Sequence, residues 1–216
     1  MEQEMLFTAS KWEIFKLLSD KPLSPIELAK HSNTSIANVS QQLRLLEIAG
    51  LVKSERISNR DRGQPRILYS LSGNNGYLIS TSNEFVEKKL IKLSAHNQII
   101  IKIWFYQDKE AHYFLEKGFW KIEEHLKEID GIAIDESSSN PLNLVIFTRN
   151  KDLSKKLKHI KISNPIHSFN KKNSRQLFFI TTDTDKVSKE LTRIPLCSLY
   201  DPEGVIAKLN ELTKTN

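Results

Sequence analysis

The stretch SIANVSQQLRLLEIAG, residues 35–50, decides the fold of the first part of the chain. Ser35 suits an N-cap and Gly50 suits the end of a helix, so the stretch predicts one helix between them. An apolar stripe is formed by Val39, Leu43 and Leu46. The opposite face carries Ala37, Asn38, Gln41, Arg44 and Leu45, with Ser40 and Gln42 at its flanks. Such a face can read DNA base edges, although an ordinary amphipathic surface helix fits this stretch equally well.

Two further helices are predicted before this stretch. Ser10 can cap a first helix that ends near Ser19. Residues 24–27, Ser-Pro-Ile-Glu, have the form of a capping box with proline at the first helical position, and they predict a second, short helix. Residues 33–34, Asn-Thr, then form a tight turn. Together these elements predict a helix-turn-helix with a preceding support helix.

After residue 50 the spacing of the apolar residues changes from a period of 3.6, which is typical of a helix, to a period of 2, which is typical of a strand. Two strands over residues 51–57 and 66–71 flank a polar turn, which predicts a hairpin. Arg60 and Arg62 lie at its tip, and Arg66 lies at its base. A basic hairpin beside a reading helix can hold phosphates while the helix contacts bases. A charged tip is commonly only a solvated turn, but its place directly after a helix-turn-helix favours DNA.

Residues 8–73 resemble the winged-helix domain of ArsR/MarR-type transcription regulators. The resemblance is carried by VSQQLRLLE at 39–47, AGLV at 49–52, GQPR at 63–66 and YSL at 69–71. It implies double-stranded DNA as a partner and a homodimer on a near-palindromic operator. The candidate DNA-binding residues are Ser35, Asn38, Ser40, Gln41, Arg44, Arg60, Arg62 and Arg66. Metal-sensing members carry paired cysteines on the recognition helix or its support helix; this sequence has none there, so we expect no thiolate metal sensing.

Composition indicates a folded protein of one or two domains. Of its 216 residues, 39% are hydrophobic and 27% charged, and the net charge of +6 favours a polyanionic partner. The single cysteine, Cys197, excludes an intrachain disulfide and a cysteine-based zinc site. The six histidines lack i, i+4 spacing, so we expect neither a metal nor another cofactor. With no signal-peptide pattern or long apolar run, we expect a cytoplasmic protein without a membrane partner.

The segment 74–130 is predicted to be a helical linker and dimerisation segment. After the linker 73–76, the apolar positions predict helix from Tyr77 to about Asp108, with a break near 94–97. A further helix is expected from about Lys109 to Ile129, and Gly118 weakens it. Its apolar faces are expected to pack between two protomers. Alternatively, they cover the C-terminal domain of their own chain.

Residues 131–216 alternate strands and helices, which predicts a small α/β domain with a mostly parallel sheet and makes the whole chain α+β. The strand ends would then form a crevice for a small-molecule or protein effector. The candidate crevice residues are Arg149, Asp183, Asp185 and Asp201. Asp183 and Asp185 resemble a magnesium pair, but helix capping explains Asp183 and Asp201 better. No phosphate loop or catalytic triad pattern accompanies them, so we do not expect an enzyme.

Three functions follow from these observations. We favour a sequence-specific DNA-binding transcription regulator that acts as a dimer, with a C-terminal sensing or interaction domain. Repression is favoured over activation because a bound dimer can block polymerase. One alternative is a winged helix used for protein–protein contact. Another is a nucleotide-processing enzyme carried to DNA by its N-terminal domain.

Overall fold

The computed structural model describes residues 7–58, 66–163, 175–188 and 190–215. The chain divides into two compact units, residues 1–93 and 94–216, and its class is α+β as predicted. The helices are α1 (Ala9–Asp20), α2 (Pro25–His31), α3 (Ile36–Ile48), α4 (Ala95–Phe105), α5 (Lys109–Ile122), α6 (Lys151–Leu157) and α7 (Val205–Thr215). The strands are β1 (Val52–Ile57), β2 (Arg66–Leu71), β3 (Asn75–Ser82), β4 (Phe85–Lys92), β5 (Gly131–Asp135), β6 (Leu142–Phe147), β7 (Lys161–Ser163), β8 (Gln176–Thr182) and β9 (Leu196–Tyr200). Short 3-10 helices cover Glu123–Glu128 and Leu191–Arg193.

The first unit contains the predicted winged helix-turn-helix. Its three helices and the antiparallel β1–β2 hairpin enclose one core, in which Ile14, Leu28 and Leu43 are almost inaccessible. The hairpin is also joined to the loop before α2, because Leu23 and Tyr69 exchange two backbone hydrogen bonds of 2.8 and 3.0 Å. The prediction that Ser10 caps the first helix is wrong. The N-cap of α1 is Thr8, which makes no side-chain capping bond.

The predicted helix over residues 77–92 is wrong. Strands β3 and β4 form an antiparallel hairpin there, with Asn75 opposite Lys92 and Ser82 opposite Phe85. The connecting residues are Asn83 and Glu84, and Glu84 has φ +67°. The apolar residues fit a helical period, but β-branched and aromatic residues in β3 favour extended backbone. Since this hairpin belongs to the first unit, segment 74–130 is not a unit of its own.

Helices α4 and α5 pack against the sheet of their own unit. A new helix, α4, begins at the predicted break near 94–97. Its N-cap is Ser94, whose hydroxyl accepts a hydrogen bond from the backbone N–H of Asn97. Their apolar stripes join one core with the sheet; the helical members include Ile99, Ile103, Ala111, Phe114, Leu115, Phe119 and Ile122. Gly118 does not interrupt α5, because it brings the helix close to Leu144 and Leu177 on the sheet. These stripes therefore cover the C-terminal sheet of their own chain. Of the two arrangements considered for them, this is the alternative, not the expected packing between two protomers.

The C-terminal sheet is mixed, not mostly parallel. Its strand order is β7-β8-β6-β5-β9, and only the β6–β8 pairing is parallel among the described strands. Alternate residues of each strand face opposite layers. Ile132 and Ile146 pack with the α4–α5 side, whereas Ala133 and Phe147 pack with Ile206 of α7. Strands β6, β8 and β9 still run in the same direction, so their carboxyl ends meet at one edge as predicted.

Two helix starts in this unit differ from prediction. Residues 183–188 contain a turn rather than a helix, and the one helical segment described between them and β9 is the 3-10 helix Leu191–Arg193. Helix α7 begins at Val205, after Gly204 with φ +71°, so Asp201 is not at its N-cap position as predicted. In the described part of the chain, no helix is both long and apolar enough to cross a bilayer.

Candidate nucleic-acid interface

Helix α3 is fixed at both ends and along its apolar side. The Ser35 hydroxyl accepts a 3.2 Å bond from the backbone N–H of Asn38. Gly50 adopts φ +70°, which glycine tolerates without strain, and lets the N–H of Leu51 donate to the carbonyl of Leu46 at 2.9 Å. The buried stripe consists of Val39, Leu43 and Leu46, at 1%, 0% and 0% exposure. The opposite face of α3 is therefore held in a defined orientation.

Helix α2 and the turn before α3 follow the predicted pattern. The Ser24 hydroxyl accepts from the N–H of Glu27 at 3.3 Å, while the N–H of Ser24 donates to the Glu27 carboxylate at 2.8 Å. Hydrogen bonds from Ser24 chiefly hold the pKa of Glu27 below its ordinary value, and Arg66 and Lys21 lower it further. Asn33 has φ +50°, a conformation that asparagine adopts more readily than most residues. The turn between α2 and α3 is thus tight.

The outward face of α3 contains three exposed polar side chains from the predicted set. Ser40, Gln41 and Arg44 are exposed and make no side-chain hydrogen bond within the described ranges. Asn38 is half-buried instead. Its amide nitrogen donates to the Thr34 hydroxyl at 3.0 Å, and its oxygen accepts from Gln42 at 3.2 Å. Asn38 and the capping residue Ser35 therefore have structural partners, whereas Ser40, Gln41 and Arg44 face solvent.

The wing contributes one predicted arginine and one that the sequence analysis missed. Arg66 opens β2 and is exposed, while Arg60 and Arg62 lie outside the described residues. Exposed Arg56 lies on the same face of β1 as Ser54, whose hydroxyl donates to Glu47 of α3 at 2.6 Å. This face of the wing therefore turns toward the helix-turn-helix. Because alternate residues of a strand share a face, the predicted strand already places Arg56 on the same face as Val52.

The predicted crevice at the strand ends is bridged by ion pairs. Arg149 contacts Asp130 at 2.8 Å, Glu203 at 3.1 Å and Asp185 at 3.2 Å. Hydrogen bonds to Glu203 and Asp185 chiefly raise the pKa of the Arg149 guanidinium. The structure thus brings together Arg149 and Asp185 from the predicted set. Sequence reasoning missed Asp130 and Glu203, for which a strand-end position is the only local signal.

Asp183 and Asp201 make local bonds at the same sheet edge. The carboxylate of Asp183 accepts from the N–H of Asp185 at 3.0 Å in a turn, so its predicted role as a helix N-cap is wrong. Asp201 accepts from the N–H of Ala207 in the first turn of α7 at 2.9 Å. Within the described ranges, no group of three or more histidine, cysteine or acidic side chains is arranged to hold a metal ion.

Comparisons with known proteins match the N-terminal geometry. Residues 9–54 match the family model described as "Bacterial regulatory protein, arsR family". A similar solved chain is a mutant of Lactococcus lactis ZitR, in a structure of its complex with DNA. It has 28% identity, the alignment covers 32% of this chain and 46% of that chain, and the TM-score is 0.28. The present chain thus spans less than half of that relative. No curated protein matches.

The predicted resemblance is confirmed for the N-terminal region. The family match runs from the start of α1 to the first residues of the wing. An arsR-type helix-turn-helix, with α3 exposed as described above, supports a DNA-binding regulator. The match ends before β3, so it says nothing about the second unit.

Proposed function

We propose, from the arsR-type helix-turn-helix of residues 9–54, that this protein is a sequence-specific DNA-binding transcription regulator. The observation that carries the proposal is the division of α3 into two faces. Val39, Leu43 and Leu46 are buried, so α3 presents Gln41 and Arg44 outward. Arginine and glutamine can form paired hydrogen bonds with guanine and adenine edges in the major groove. In this proposal α3 reads bases.

The wing supplies phosphate contacts in this proposal. Arg56 and Arg66 are exposed on the two strands of the hairpin, and Arg60 and Arg62 belong to its tip in the sequence. Phosphate contacts fix the position of a protein on the duplex and carry no sequence information. We therefore assign affinity mainly to these arginines, and base preference mainly to Gln41 and Arg44.

The regulator is proposed to act as a dimer and as a repressor. One helix-turn-helix module reads only a few base pairs, and two modules at fixed spacing provide an operator-length site. The outer sides of α4 and α5 retain exposed aromatic residues, namely Trp104, Tyr113 and Trp120. Sedimentation should give a dimer, with two chains bound per operator. A bound dimer can then exclude polymerase from an overlapping promoter.

The second unit is proposed as the sensing or interaction part. A cavity of about 580 Å³ lies beside β9, lined by residues that include Lys102, Tyr106, Glu136 and Cys197. Burial lowers the pKa of the Lys102 ammonium and raises the pKa of the Cys197 thiol. Ionisable groups in a cavity can orient a polar effector. We favour this cavity over the strand-end edge, because Arg149 already contacts three carboxylates there.

The test begins with selection of bound genomic fragments by the full chain, followed by affinity measurements on the selected site at several salt concentrations. Arg66→Ala should weaken binding to all sequences and reduce the salt slope by about one. Gln41→Ala should relax base preference at its contact position, because it removes a base contact rather than a phosphate contact. Arg193→Ala is the matched control for charge, since Arg193 is exposed in the other unit.

Two results would contradict the proposal. One is a failure to enrich any sequence, with affinity no greater than non-specific binding; that result favours the protein–protein alternative. The other is an equal loss of affinity in Arg66→Ala and Arg193→Ala, which would reduce the interaction to general attraction between a basic protein and a polyanion.

A further inference from the structure

The outer edge of β4, in the first unit, is not paired with a third strand among the described residues, since β3 and β4 pair only with each other. The backbone N–H and C=O groups of an antiparallel strand point alternately to its two sides. The N–H of Leu93 donates to the carbonyl of Asn74 at 2.9 Å, which is toward the β3 side. Counted back in steps of two, the backbone groups of residues 86, 88 and 90 therefore point away from β3. Another strand can join β4 along this edge.

The half of the β3–β4 hairpin nearest its turn exposes apolar side chains on both faces. Val86 and Ile79 lie on one face, and Phe85 and Leu78 lie on the other. All four are exposed, Val86 at 74% and Phe85 at 55%. A two-stranded hairpin is marginally stable in water, and further strands stabilise it. A strand added beside β4 would pack its own side chains against Val86 and Phe85.

The sequence of β4 is complementary to itself in one antiparallel register. Residues 85–92 read Phe-Val-Glu-Lys-Lys-Leu-Ile-Lys. We consider two copies of this strand that pair about a twofold axis at Lys88. The facing residues are then Phe85 opposite Ile91, Val86 opposite Leu90, and Glu87 opposite Lys89. Apolar residues face apolar residues, and each glutamate faces a lysine, so this register combines packing with charge complementarity.

The registers on either side lack this match. An axis at Glu87 places Glu87 opposite itself and Phe85 opposite Lys89. An axis at Lys89 places Lys89 opposite itself and Glu87 opposite Ile91. An axis at Lys88 also agrees with the outward direction of its backbone groups, which puts a hydrogen-bonded pair on the axis. The two facing Lys88 side chains are its unfavourable pair, and their exposed, flexible ends can separate in solvent.

We propose that two copies of this chain dimerise by antiparallel pairing of their β4 edges, which joins two hairpins into one four-stranded sheet. The ion pairs between Glu87 and Lys89 select the register, and the apolar pairs on either side supply packing. An edge that pairs with itself about a twofold axis is used up in the dimer, so β4 pairing stops at two copies. The exposed aromatic residues of α4 and α5, which belong to the second unit, are the competing surface.

This interface would hold two α3 helices at a fixed spacing. Strand β4 and helix α3 belong to the same compact unit, and Leu90 of β4 packs against the core that contains Val39 and Leu43 of α3. The consequence for an operator rests on the proposed DNA-binding function, whereas dimerisation does not. Dimerisation is therefore measured first, without DNA.

Sedimentation equilibrium of the full chain gives the dissociation constant of the dimer. Lys89→Glu and Glu87→Lys should each weaken dimerisation by at least about tenfold, because each change turns two opposite-charge pairs into like-charge pairs. An equimolar mixture of the two variants should recover dimers to within about threefold of the unmodified chain, because every glutamate at positions 87 and 89 then faces a lysine. Recovery on mixing is specific to this register, since general loss of charge or of fold would not be repaired.

Lys53→Glu is the matched control, because Lys53 is exposed on a strand of the other hairpin in the same unit. It should dimerise within about twofold of the unmodified chain. Circular dichroism checks the fold of every variant. Val86→Lys is a second disrupting variant at a highly exposed position, and it should weaken dimerisation because it places a charge opposite Leu90 and near the axial Lys88 pair.

Three results would overturn the proposal. One is an unmodified chain that stays monomeric. Another is normal dimerisation by folded Lys89→Glu and Val86→Lys, or no recovery in the mixture of folded variants. The third is a dimer that is lost in Trp120→Ala but kept in Lys89→Glu, which would place the interface on α5.

DNA affinity is then measured on the selected operator. Lys89→Glu should bind it at least about tenfold more weakly than the unmodified chain, and the mixture with Glu87→Lys should regain the affinity, because two reading helices are again linked. Intact dimers without sequence-selective DNA binding would count against the proposed function and leave the interface in place. Selective binding by a chain that stays monomeric would overturn the interface and leave the proposed reading of DNA by α3 in place.

Discussion

Polar side chains serve different purposes in the two units. On α3 of the first unit, Gln41 and Arg44 point into solvent above a fully buried apolar stripe. In the second unit Arg149 contacts three carboxylates, and the buried carboxylate of Asp135 accepts bonds from Ser137 and Asn143. Residue type alone therefore does not mark a binding surface. What distinguishes the two arginines is whether neighbouring side chains already engage them.

The largest expected effect separates the two faces of α3. Leu43 is fully buried, so Leu43→Ala should lower the free energy of unfolding of the first unit by about 2–5 kcal/mol, through lost apolar contact and a residual cavity. Gln41→Ala on the outward face should change it by less than about 0.5 kcal/mol. Hydrogen exchange of residues 36–48 measures both. Similar destabilisation by the two variants would mean that the outward face is part of the fold.

A smaller effect is expected from a polar residue of the second unit. Asp135 accepts bonds from the N–H of Ser137 at 2.9 Å and from the amide of Asn143 at 3.0 Å. Asp135→Ala leaves these donors without their acceptor, which should lower the free energy of unfolding by about 1–3 kcal/mol. Urea denaturation measures the loss. A neutral result would place Asp135 with the solvent-facing polar residues and weaken the contrast between the units.

The smallest effect concerns pH. A hydrogen bond from Arg175 chiefly holds the pKa of Asp108 below its ordinary value, and the same carboxylate caps α5 through the N–H groups of Glu110 and Ala111. Because the folded pKa is depressed, this carboxylate stabilises the fold above the unfolded pKa of about 4, and the contribution is lost as the pH falls through the folded value. Asp108→Asn should cost about 0.5 kcal/mol at pH 7, because asparagine keeps the helix cap and an acceptor for Arg175, and because about a third of the Asp108 side chain is exposed to solvent.

Unfolding of Asp108→Asn should also depend less steeply on pH below about 4 than that of the unmodified chain. Asp108→Ala is the comparison variant, since it removes the helix cap as well and should cost about 1 kcal/mol more. Identical acid transitions in the unmodified chain and Asp108→Asn would show that this carboxylate does not titrate as inferred.

Local signals explain how much of the first unit could be predicted from the sequence. Ser24 and Glu27 form their capping box, Ser35 caps α3, and Gly50 takes the left-handed conformation at its end. Each of these features depends on neighbours within a few residues, so short sequence patterns encode it. The outward face of α3 follows from the same periodicity. The DNA-contact roles of its residues remain predictions.

The errors lie where tertiary context decides. The apolar residues at positions 78, 85, 86 and 90 fit a helical period. In the β3–β4 hairpin, however, Leu78, Phe85 and Val86 are exposed, so the apolar residues do not alternate with polar ones as they do in a strand with one buried face. Sheet direction is likewise decided by pairings between distant residues, such as β5 with β9. The partners of Arg149 are also distant in sequence: Asp185 lies 36 positions after it and Glu203 lies 54 positions after it. No local sequence pattern could indicate these contacts.

Arg44 is proposed to contact DNA, whereas Arg149 pairs with carboxylates of its own unit. The most direct measurement is the affinity of Arg44→Ala and Arg149→Ala for the selected operator, since both variants lose the same side chain and the same charge. We predict that Arg44→Ala binds at least about fivefold more weakly, because a lost arginine–base contact costs about 1–3 kcal/mol, whereas Arg149→Ala stays within about twofold of the unmodified chain. Unchanged affinity in Arg44→Ala, or an equal loss in Arg149→Ala, would contradict the assignment of Arg44 to the DNA interface.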